Sequence, residues 1–416
     1  MALPGLSLPG LSSTPLKAYA AAPLPVRRER SARTETLAPR AEFRFEVASS
    51  QTCILKLLNG QAEHYGTELA ANRPYSFSGY KGAIFTWHGC TLEITGDTES
   101  EYVGEETGYA TEWLNVHGML ETARDEAGEV GGPRVLIVGP DHVGKSSLVR
   151  SLAAWGVRMG RTPTIVNLDP REGLLTPPGS LTAVTVANQM DVEAGYGITS
   201  ISGPTATPVK TPLPYHWPYA SPTDRPEMFK SVVTRMALSV TSKLEEDPAA
   251  KQSGIIVDTP GSLNDPKTSY DLINHIIGEF SITLILVVDS ERLFTDLNRR
   301  FKDDMPVLKL SKSSGAVQQD GKFMEQKRRE QIRQYFFGTP STQLNPHSHT
   351  LHFSELSMYC AKPTKISGAT EIDFRPGGAD DYAPSSTLFE KVEPSPAMLN
   401  SLIAIKFCPG ESSSRV

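Results

Sequence analysis

The chain has 416 residues, of which 39% are hydrophobic and 21% are charged, so it is long enough for two or three domains and is not wholly disordered. Its 41 lysines and arginines face 47 aspartates and glutamates, and the net charge of −6 provides no global basic field for nucleic acid. Any contact with RNA or DNA is therefore expected to be local. The four cysteines lie far apart, which predicts neither a disulfide framework nor a zinc cluster. No apolar run approaches the ~20 residues of a membrane helix, so we expect a soluble protein without a membrane partner.

The first 40 residues are rich in Pro, Ser and Ala and carry six basic residues against two acidic ones. This composition predicts a disordered arm over residues 1–40. The basic cluster at residues 27–30 is either a nuclear address or part of a solvated tail, and the sequence leaves both open.

At residue 41 apolar and β-branched residues begin to alternate with polar ones between Gly and Asn turns. The strand-like segments are Phe43–Val47, Cys53–Leu58, Ala83–Trp87 and Thr91–Thr95. They predict a small, sandwich-like all-β domain, which together with a polar helical stretch around Trp113 spans residues 41–128. The Gly-Gly-Pro sequence at residues 131–133 marks the boundary to the next domain.

The next domain, residues 129–340, begins with the pattern strand, helix, strand. Val135–Val138 is a continuous apolar run, Ser146–Gly160 has helical spacing, and Thr164–Asp169 is a second apolar run. This order predicts an α/β domain with a parallel sheet.

Two further apolar runs, Ile255–Asp258 and Ile282–Asp289, predict additional strands of the same sheet. Residues 204–227 are rich in Pro and Tyr and are predicted to form an irregular excursion over the sheet. After a charged helix near residues 322–337, short strand-like pieces predict a C-terminal α/β or β domain over residues 341–416, which we expect to be incomplete.

A glycine-rich turn joins the first two elements of the central domain. The segment from Gly139 to Ser146 fits G-x-x-x-x-G-K-[ST], with the strand before it and the helix after it that the motif requires. In such a P-loop the backbone N–H groups surround a phosphate, Lys145 neutralises the β and γ oxygens, and Ser146 ligates Mg²⁺. The alternative is an ordinary glycine turn at a helix start. The motif predicts a nucleotide but no particular reaction.

Three strands of the predicted sheet end in a carboxylate, namely Asp169, Asp258 and Asp289. Each would lie at the sheet edge where ligands bind, but a plain capping Asp is equally common there, and the residues do not decide between the two. Asp258 also begins a D-x-x-G element typical of GTPases, although no N-K-x-D sequence that would bind guanine occurs in the chain.

Two groups of basic residues follow the later strands. Arg292 and the pair at residues 299–300 are placed to act as a cationic lid over phosphates, unless they form an exposed basic helix. The basic residues of the charged helix contact RNA phosphates or belong to a solvated helix, and the acidic residues between them leave both open. These residues are Lys327, Arg328, Arg329 and Arg333.

With these motifs, the chain resembles the polynucleotide 5′-hydroxyl kinases and, within them, the fungal-type ATP-binding subunits of the pre-mRNA cleavage and polyadenylation factor. The resemblance covers about residues 42–338. Besides the P-loop, it is carried by residues 43–47, 65–69, 85–90, 166–179, 289–293 and 332–338. The sequence Thr-Trp-His-Gly-Cys at residues 86–90 is far more specific than the P-loop alone.

The resemblance implies that the β domain packs on the P-loop domain and covers the adenine of ATP, with Glu42 and Lys81 in nucleotide-contacting positions. The other residues expected to contact ATP are Gly139, His142, Val143, Gly144, Lys145, Ser146 and Ser147, with Ser146 on Mg²⁺. It further implies a nuclear protein of the pre-mRNA 3′-processing complex, bound to the scaffold subunit that contacts the C-terminal domain of RNA polymerase II.

The acceptor half of the site departs from the active kinases. Their second strand ends in an acidic-x-Asp-x-x-Gln pattern, whereas this chain keeps Asp169 but has Asn167 and Glu172 at the flanking positions. Their Thr-x-Gly-Trp clasp, which grips the RNA end, here ends in Ser262, and base stacking on an aromatic ring is worth about 1–3 kcal/mol. His142 also stands where many relatives carry Asp.

These departures beside an intact ATP half favour an ATP-binding component of the cleavage factor in which ATP is mainly structural and kinase chemistry is lost or nearly lost. The alternative is an active ATP-dependent RNA 5′-hydroxyl kinase. In that case Asp169 would be the base and Arg292 the lid.

Overall fold

The computed structural model describes residues 32–173, 176–193, 212–338, 343–361, 389–399 and 401–405. The basic cluster at residues 27–30 and part of the predicted excursion, residues 204–211, lie outside these ranges. Within the described ranges, no helix has both the length and the apolar character needed to cross a membrane.

The N-terminal domain consists of two antiparallel sheets. Its strands are β1 (Ala32–Leu37), β2 (Glu42–Val47), β3 (Cys53–Gly60), β4 (Glu63–His64), β5 (Thr67–Glu68), β6 (Pro74–Phe77), β7 (Tyr80–Phe85), β8 (Cys90–Gly96) and β9 (Ser100–Gly104). The sheet orders are β1-β8-β3-β6 and β5-β4-β7-β2-β9. Strands β3 and β8 alternate buried and less buried residues, as expected when one sheet face is covered. Their inward residues form one core with Phe43 and Phe45 of β2, so the predicted sandwich is confirmed.

Strand β1 corrects the prediction of a disordered arm up to residue 40. It pairs antiparallel with β8, from Ala32 opposite Thr95 to Leu37 opposite Cys90. Only Leu37 of this strand is buried, so its side chains carry almost no apolar pattern. Backbone hydrogen bonds to β8 order this segment, and amino-acid composition carries no information about such bonds.

Helix α1 (Gly108–Asp125) connects the two domains. Its buried face includes Trp113, Val116 and Leu120, which belong to the same apolar cluster as residues of the P-loop domain. Arg124 near its end is also buried and donates from Nε to the carbonyl oxygen of Ser253, 2.9 Å away. The helix therefore ties the β sandwich to the central domain through packing and buried polar contacts.

The central domain is a seven-stranded sheet with helices on both faces. Its elements are β10 (Arg134–Val138), α2 (Lys145–Arg158), β11 (Thr164–Asn167), β12 (Ser180–Thr185), β13 (Leu213–His216), α3 (Pro226–Glu246), α4 (Pro248–Ser253), β14 (Ile255–Asp258), α5 (Asp271–Phe280), β15 (Leu284–Val288), α6 (Glu291–Phe301), β16 (Val307–Leu310) and α7 (Gly321–Phe337). The strand order is β13-β12-β11-β14-β10-β15-β16.

Both faces of this sheet are buried, which explains the continuous apolar runs of the sequence. On β10, Val135 and Ile137 face the cluster that contains α2, whereas Leu136 and Val138 face the cluster that contains α3 and α5. The strands from β11 to β16 through β14, β10 and β15 are parallel, which confirms the predicted α/β P-loop fold.

Strands β12 and β13 are antiparallel additions, so the sheet is mixed. Strand β13 lies within the segment that the sequence predicted to be irregular. It pairs with one neighbour only, and an edge strand tolerates Pro214, which has no N–H to donate. The fully buried Trp217 follows it and packs on Phe229 of α3.

In the C-terminal segment, the structure describes a two-stranded sheet of β17 (Tyr359–Ala361) and β18 (Phe389–Lys391). Most described side chains around these strands are exposed. The domain limits 41–128, 129–340 and 341–416 stay predictions.

Candidate nucleotide-binding site

The P-loop connects the buried strand β10 to helix α2, as the motif requires. Gly139 and Gly144 have φ values of +151° and +91°, which side chains rarely adopt, and a Cβ on Gly139 would lie 2.5 Å from the carbonyl oxygen of Val288. His142 also has a positive φ of 62°. The loop therefore folds back on itself before Lys145 begins α2, and the N–H groups of the helix start favour an anion.

Lys145 is buried at this helix start. Its Nζ donates to the carbonyl oxygen of Pro140, 2.5 Å away. Burial lowers the pKa of Lys145, and the nearby carboxylates, Asp258 first among them, oppose this shift. The ammonium is thus held inside the loop at the position where it would neutralise phosphate oxygens.

Ser146 and Asp258 form the pair that fits Mg²⁺. The Ser146 hydroxyl donates to Oδ2 of Asp258 at 2.6 Å, while Oδ1 of Asp258 is buried and has no hydrogen-bond partner. Burial raises the pKa of Asp258 to about 7, against the effects of Ser146 and Lys145. An orphaned carboxylate oxygen beside a hydroxyl suits a hard cation. The described residues contain no cluster of three or more His, Cys, Asp or Glu side chains for a metal, and Mg²⁺ commonly keeps waters and phosphate oxygens as its other ligands.

A cavity of about 310 Å³ lies between the β sandwich and the P-loop. Most of the residues predicted to contact ATP line it: Glu42, Lys81, His142, Gly144, Lys145, Ser146 and Ser147. Gly139 and Val143 do not line it. The Val143 side chain is instead buried in the apolar cluster beneath α2, and this packing anchors the loop to the core.

Glu42 and Lys81 line the cavity from the neighbouring strands β2 and β7 and have different hydrogen-bond partners. Glu42 is buried and accepts hydrogen bonds from Nε of Arg44, at 2.7 Å, and from the Tyr109 hydroxyl. Lys81 donates to Glu46 opposite it at 2.7 Å. The two partners of Glu42 fill only part of its acceptor capacity, so its carboxylate keeps lone pairs for an adenine amino group.

Sequence reasoning missed a second group of lining residues centred on Arg150. Its guanidinium lies 4.8 Å from the ring centre of Tyr65 and donates to the Tyr80 hydroxyl at 3.3 Å. Tyr80 in turn lies 2.9 Å from Nε2 of the buried His64. The spacing of Arg150, one helical turn after Ser146, was a usable signal, since it places both on one face of α2.

The far wall of the cavity consists of the loop after β16 and of helix α7. Ser314 in this loop accepts from Arg44 at 2.7 Å and donates to the carbonyl oxygen of Glu106 at 2.5 Å. No residue of α7 is buried. Of its basic residues, Lys327 lines the cavity, whereas Arg329 and Arg333 pair with glutamates of the same helix.

On the acceptor side, Asp169 lies buried after β11, and burial raises its pKa while Arg171 opposes the shift. Asn167 organises this loop: its Oδ1 accepts from the Asp169 N–H at 3.0 Å, and its Nδ2 donates to the carbonyl oxygens of Asp169 and Glu172 at 3.2 and 3.0 Å. A carboxylate could not donate these two bonds. Asn167 therefore has a structural use in this loop.

The segment after β14 is attached to the P-loop strand. Thr259 donates to the carbonyl oxygen of Ile137 at 2.7 Å, and Asn264 donates to that of Gly139 at 2.5 Å. The Ser262 hydroxyl, at the position where the resemblance to the active kinases leads one to expect Trp, accepts from Ser221 at 2.9 Å. Asp169 and Asp258 follow or end the parallel strands β11 and β14, so both lie at the carboxyl-terminal edge of the sheet.

The predicted lid residue Arg292 is not brought to the cavity. It lies in the first turn of α6 with 75% of its side chain exposed, 4.0 Å from Asp296 of the same helix. Arg299, also predicted for the lid, is similarly exposed and faces the same carboxylate. Both arginines therefore lie on an exposed helix, which was the alternative to a cationic lid.

Comparison with known proteins identifies the family. The profile described as the P-loop of mRNA cleavage and polyadenylation factor CLP1 matches residues 139–338, and that of the N-terminal beta-sandwich domain of polyadenylation factor matches residues 36–127. The chain is 44% identical over 409 residues to mRNA cleavage and polyadenylation factor clp1 of Botryotinia fuckeliana, covering 96% of this chain and 87% of that protein. Its identity to CLP1 of Phaeosphaeria nodorum is 43% over 414 residues, covering 96% and 86%.

Solved structures show the same fold. A complex of wild-type Clp1p with Pcf11p matches with a TM-score of 0.74 and 24% identity over 80% of this chain and 78% of that one. A second Pcf11p and Clp1p structure, concerned with ATP loss in a point mutant, matches with a TM-score of 0.74 and 25% identity over 80% and 79%. The family profiles and the curated relatives together show that this chain belongs to the CLP1 family of mRNA cleavage and polyadenylation factors.

Proposed function

We propose that this protein is the ATP-binding subunit of the nuclear pre-mRNA cleavage factor and that Mg²⁺ and ATP act in it mainly as a structural element. The observation that carries the proposal is the cavity, because its walls come from both domains and it contains the P-loop together with Glu42 and Lys81. The acceptor side, by contrast, has lost the acidic, Gln and Trp positions of the active kinases.

Each part of the cavity has a distinct task in holding the nucleotide. The N–H groups of the P-loop would bind the phosphates, Lys145 would neutralise them, and Ser146 with Asp258 would position Mg²⁺. Glu42 would accept from the adenine amino group, and Lys81 would donate to the base or ribose. When bound, Mg²⁺ neutralises the charge of the β and γ phosphates.

A ligand held by both domains stabilises their arrangement. At 100 times its Kd it adds about 2.7 kcal/mol to the folded state. The interface already contains direct contacts, since Trp155 of α2 donates to Glu63 of the β sandwich at 3.0 Å. Because α2 starts at the P-loop, phosphates bound there would also stiffen the helix on which the β sandwich rests.

The surface stabilised in this way would meet a scaffold subunit of the cleavage factor. Support comes from the two solved relatives, in which Clp1p is bound to Pcf11p. The partner of this chain would then be a Pcf11-type subunit that contacts the C-terminal domain of RNA polymerase II, and the protein would work in the nucleus. Cleavage of pre-mRNA would need the ATP-bound form.

An active RNA 5′-hydroxyl kinase is the second candidate, and one observation favours it. Asp169 is retained at the sheet edge beside Asp258 and the P-loop, which is where a base would accept the proton of the attacking hydroxyl. Arg292 would have to move to the cavity to act as a lid.

Transfer of the γ-phosphate from labelled ATP to a 5′-hydroxyl oligoribonucleotide separates the two candidates. It should be measured together with the nucleotide content of the purified protein, for the wild type, for Lys145→Ala and for the exposed control Lys243→Ala. We expect co-purifying ATP without transfer, and loss of this ATP only in Lys145→Ala. Transfer that disappears in Lys145→Ala would refute the structural role of ATP, and wild-type protein without affinity for ATP would refute the proposal as a whole.

A further inference from the structure

A single arginine joins two carboxylates at the edge of the P-loop. Nη2 and Nη1 of Arg171 donate to the two oxygens of Asp141 at 2.6 and 3.2 Å. Nη2 and Nε of the same guanidinium donate to the two oxygens of Asp169 at 3.3 Å each. Such a fork between carboxylates is a geometry that arginine fits and lysine does not. We refer to Asp141, Arg171 and Asp169 as the carboxylate bridge.

The bridge extends to a third segment of the chain. Oδ1 of Asp141 also accepts the N–H of Gly261 at 2.9 Å. The approach is close, because a Cβ on Gly261 would lie 2.4 Å from the backbone nitrogen of Asp141. The P-loop, the loop after β11 and the segment after β14 are therefore joined at the side where an acceptor would approach the γ-phosphate.

The charges of the bridge support one another. Burial alone would lower the pKa of Arg171, but its hydrogen bonds to Asp141 and Asp169 raise it. Burial likewise works against the ionised form of Asp141, but the bond from Arg171 lowers the pKa of that carboxyl. The bridge thus favours the charged forms of Arg171 and Asp141. Burial raises the pKa of Asp169, and breaking the bridge would remove the guanidinium that opposes this rise.

We infer that the Arg171 side chain occupies the place of the phosphate acceptor. There it blocks Asp169 from acting as a base and keeps water and 5′-hydroxyl groups from the γ-phosphate of bound ATP. The inference rests on the proposed function, because it explains how a CLP1-family site holds ATP without consuming it. The residues responsible, Arg171 and Asp141, are different from the three departures Asn167, Glu172 and Ser262.

The chemistry that the bridge prevents is a phosphoryl transfer. The oxygen of water or of a 5′-hydroxyl forms a bond to the γ phosphorus, the bond from that phosphorus to the β–γ bridging oxygen breaks, and ADP leaves. The proton of the attacking oxygen passes to the carboxylate of Asp169. The four hydrogen bonds that the Arg171 guanidinium donates to Asp141 and Asp169 occupy the oxygens and the space that this step needs.

The test uses the full chain and labelled ATP, with phosphate release and transfer to a 5′-hydroxyl oligoribonucleotide as readouts. The variants are Arg171→Ala, Arg171→Lys and Asp141→Asn, and the control is Arg235→Ala, an exposed arginine of α3. Arg171→Ala should raise turnover of bound ATP at least tenfold. Arg171→Lys should raise it less, because one ammonium contacts one carboxylate at a time. Asp141→Asn should raise it as well, and Arg235→Ala should equal the wild type.

Thermal unfolding and nucleotide content show which variants are folded and bind ATP. If Arg171→Ala is folded, binds ATP and turns it over at the wild-type rate, the inference is wrong. If Arg171→Ala does not fold, Asp141→Asn decides in the same way, since it retains the side-chain shape. Failure of the proposed function is distinct, because it is seen in the wild type itself as missing ATP or as transfer to RNA.

Discussion

Lowering the pH from 8 to 6 should weaken the binding of Mg²⁺ and ATP through Asp258. This carboxyl is 1% exposed and accepts from the Ser146 hydroxyl at 2.6 Å. Burial raises its pKa to about 7. The charged form attracts the cation and the protonated form does not, so affinity should be high above pH 7 and should fall as the pH falls through this value.

The magnitude follows from the titration of a single group. With a pKa of about 7, roughly nine-tenths of Asp258 is ionised at pH 8 and roughly one-tenth at pH 6. If binding requires the carboxylate, the affinity should decrease about tenfold, which corresponds to ~1.4 kcal/mol.

The assay is titration calorimetry with ATP and Mg²⁺ at pH 6, 7 and 8, for the wild type and Asp258→Asn. Phosphate groups also titrate near pH 6, and both proteins receive the same ligand, so the difference between them isolates Asp258. We expect weaker binding and a smaller pH dependence in the variant. Equal wild-type affinities at pH 6 and 8, or the same pH dependence in both proteins, would refute the reasoning.

Three further predictions concern the architecture that supports the site. Gly66→Ala and Gly160→Ala both place Ala at a φ of +81°, but only at Gly66 would the Cβ meet α2, 2.8 Å from the Ser151 carbonyl oxygen. Gly66→Ala should therefore cost about 1–3 kcal/mol more in the free energy of unfolding, and equal losses in urea would contradict this contact. His64 is fully buried, and burial lowers its pKa to about 3, so stability present above pH 6.5 should be lost as the pH falls toward 3. Acid unfolding of His64→Gln should be less steep than that of the wild type, and parallel curves would count against the assignment. Asn167→Asp should lower stability by about 1–3 kcal/mol, because two carbonyl oxygens lose their donor, and an unchanged melting temperature would show that these bonds are unimportant.

Local patterns in the sequence predicted the elements that carry the nucleotide site. Residues 135–138 are all apolar because both faces of their sheet are buried. Gly139 and Gly144 occur in the P-loop because its backbone adopts positive φ values at these positions. Helix and strand periods depend on neighbours within a few residues, so they can be recognised without a structure. The positions of Lys145 and Ser146 follow directly from the motif.

Edge strands were not predictable in this way. Strand β1 has one buried residue, and β13 contains Pro214, so neither shows the apolar alternation on which strand prediction depends. Each forms because an exposed edge of a sheet offers unpaired N–H and C=O groups. The two strands therefore depend on a partner that is distant in the sequence.

The site shows the same division between sequence and tertiary structure. The sequence by itself predicted the P-loop and the candidate carboxylates, and its resemblance to the active kinases predicted the departures on the acceptor side. Only the tertiary structure decided that Asp258 accepts from Ser146, that Arg171 joins Asp141 to Asp169, and that Arg292 lies away from the cavity. Hydrogen bonds between side chains depend on angles and distances of about 3 Å between segments far apart in the chain, and no spacing rule along the sequence contains that information.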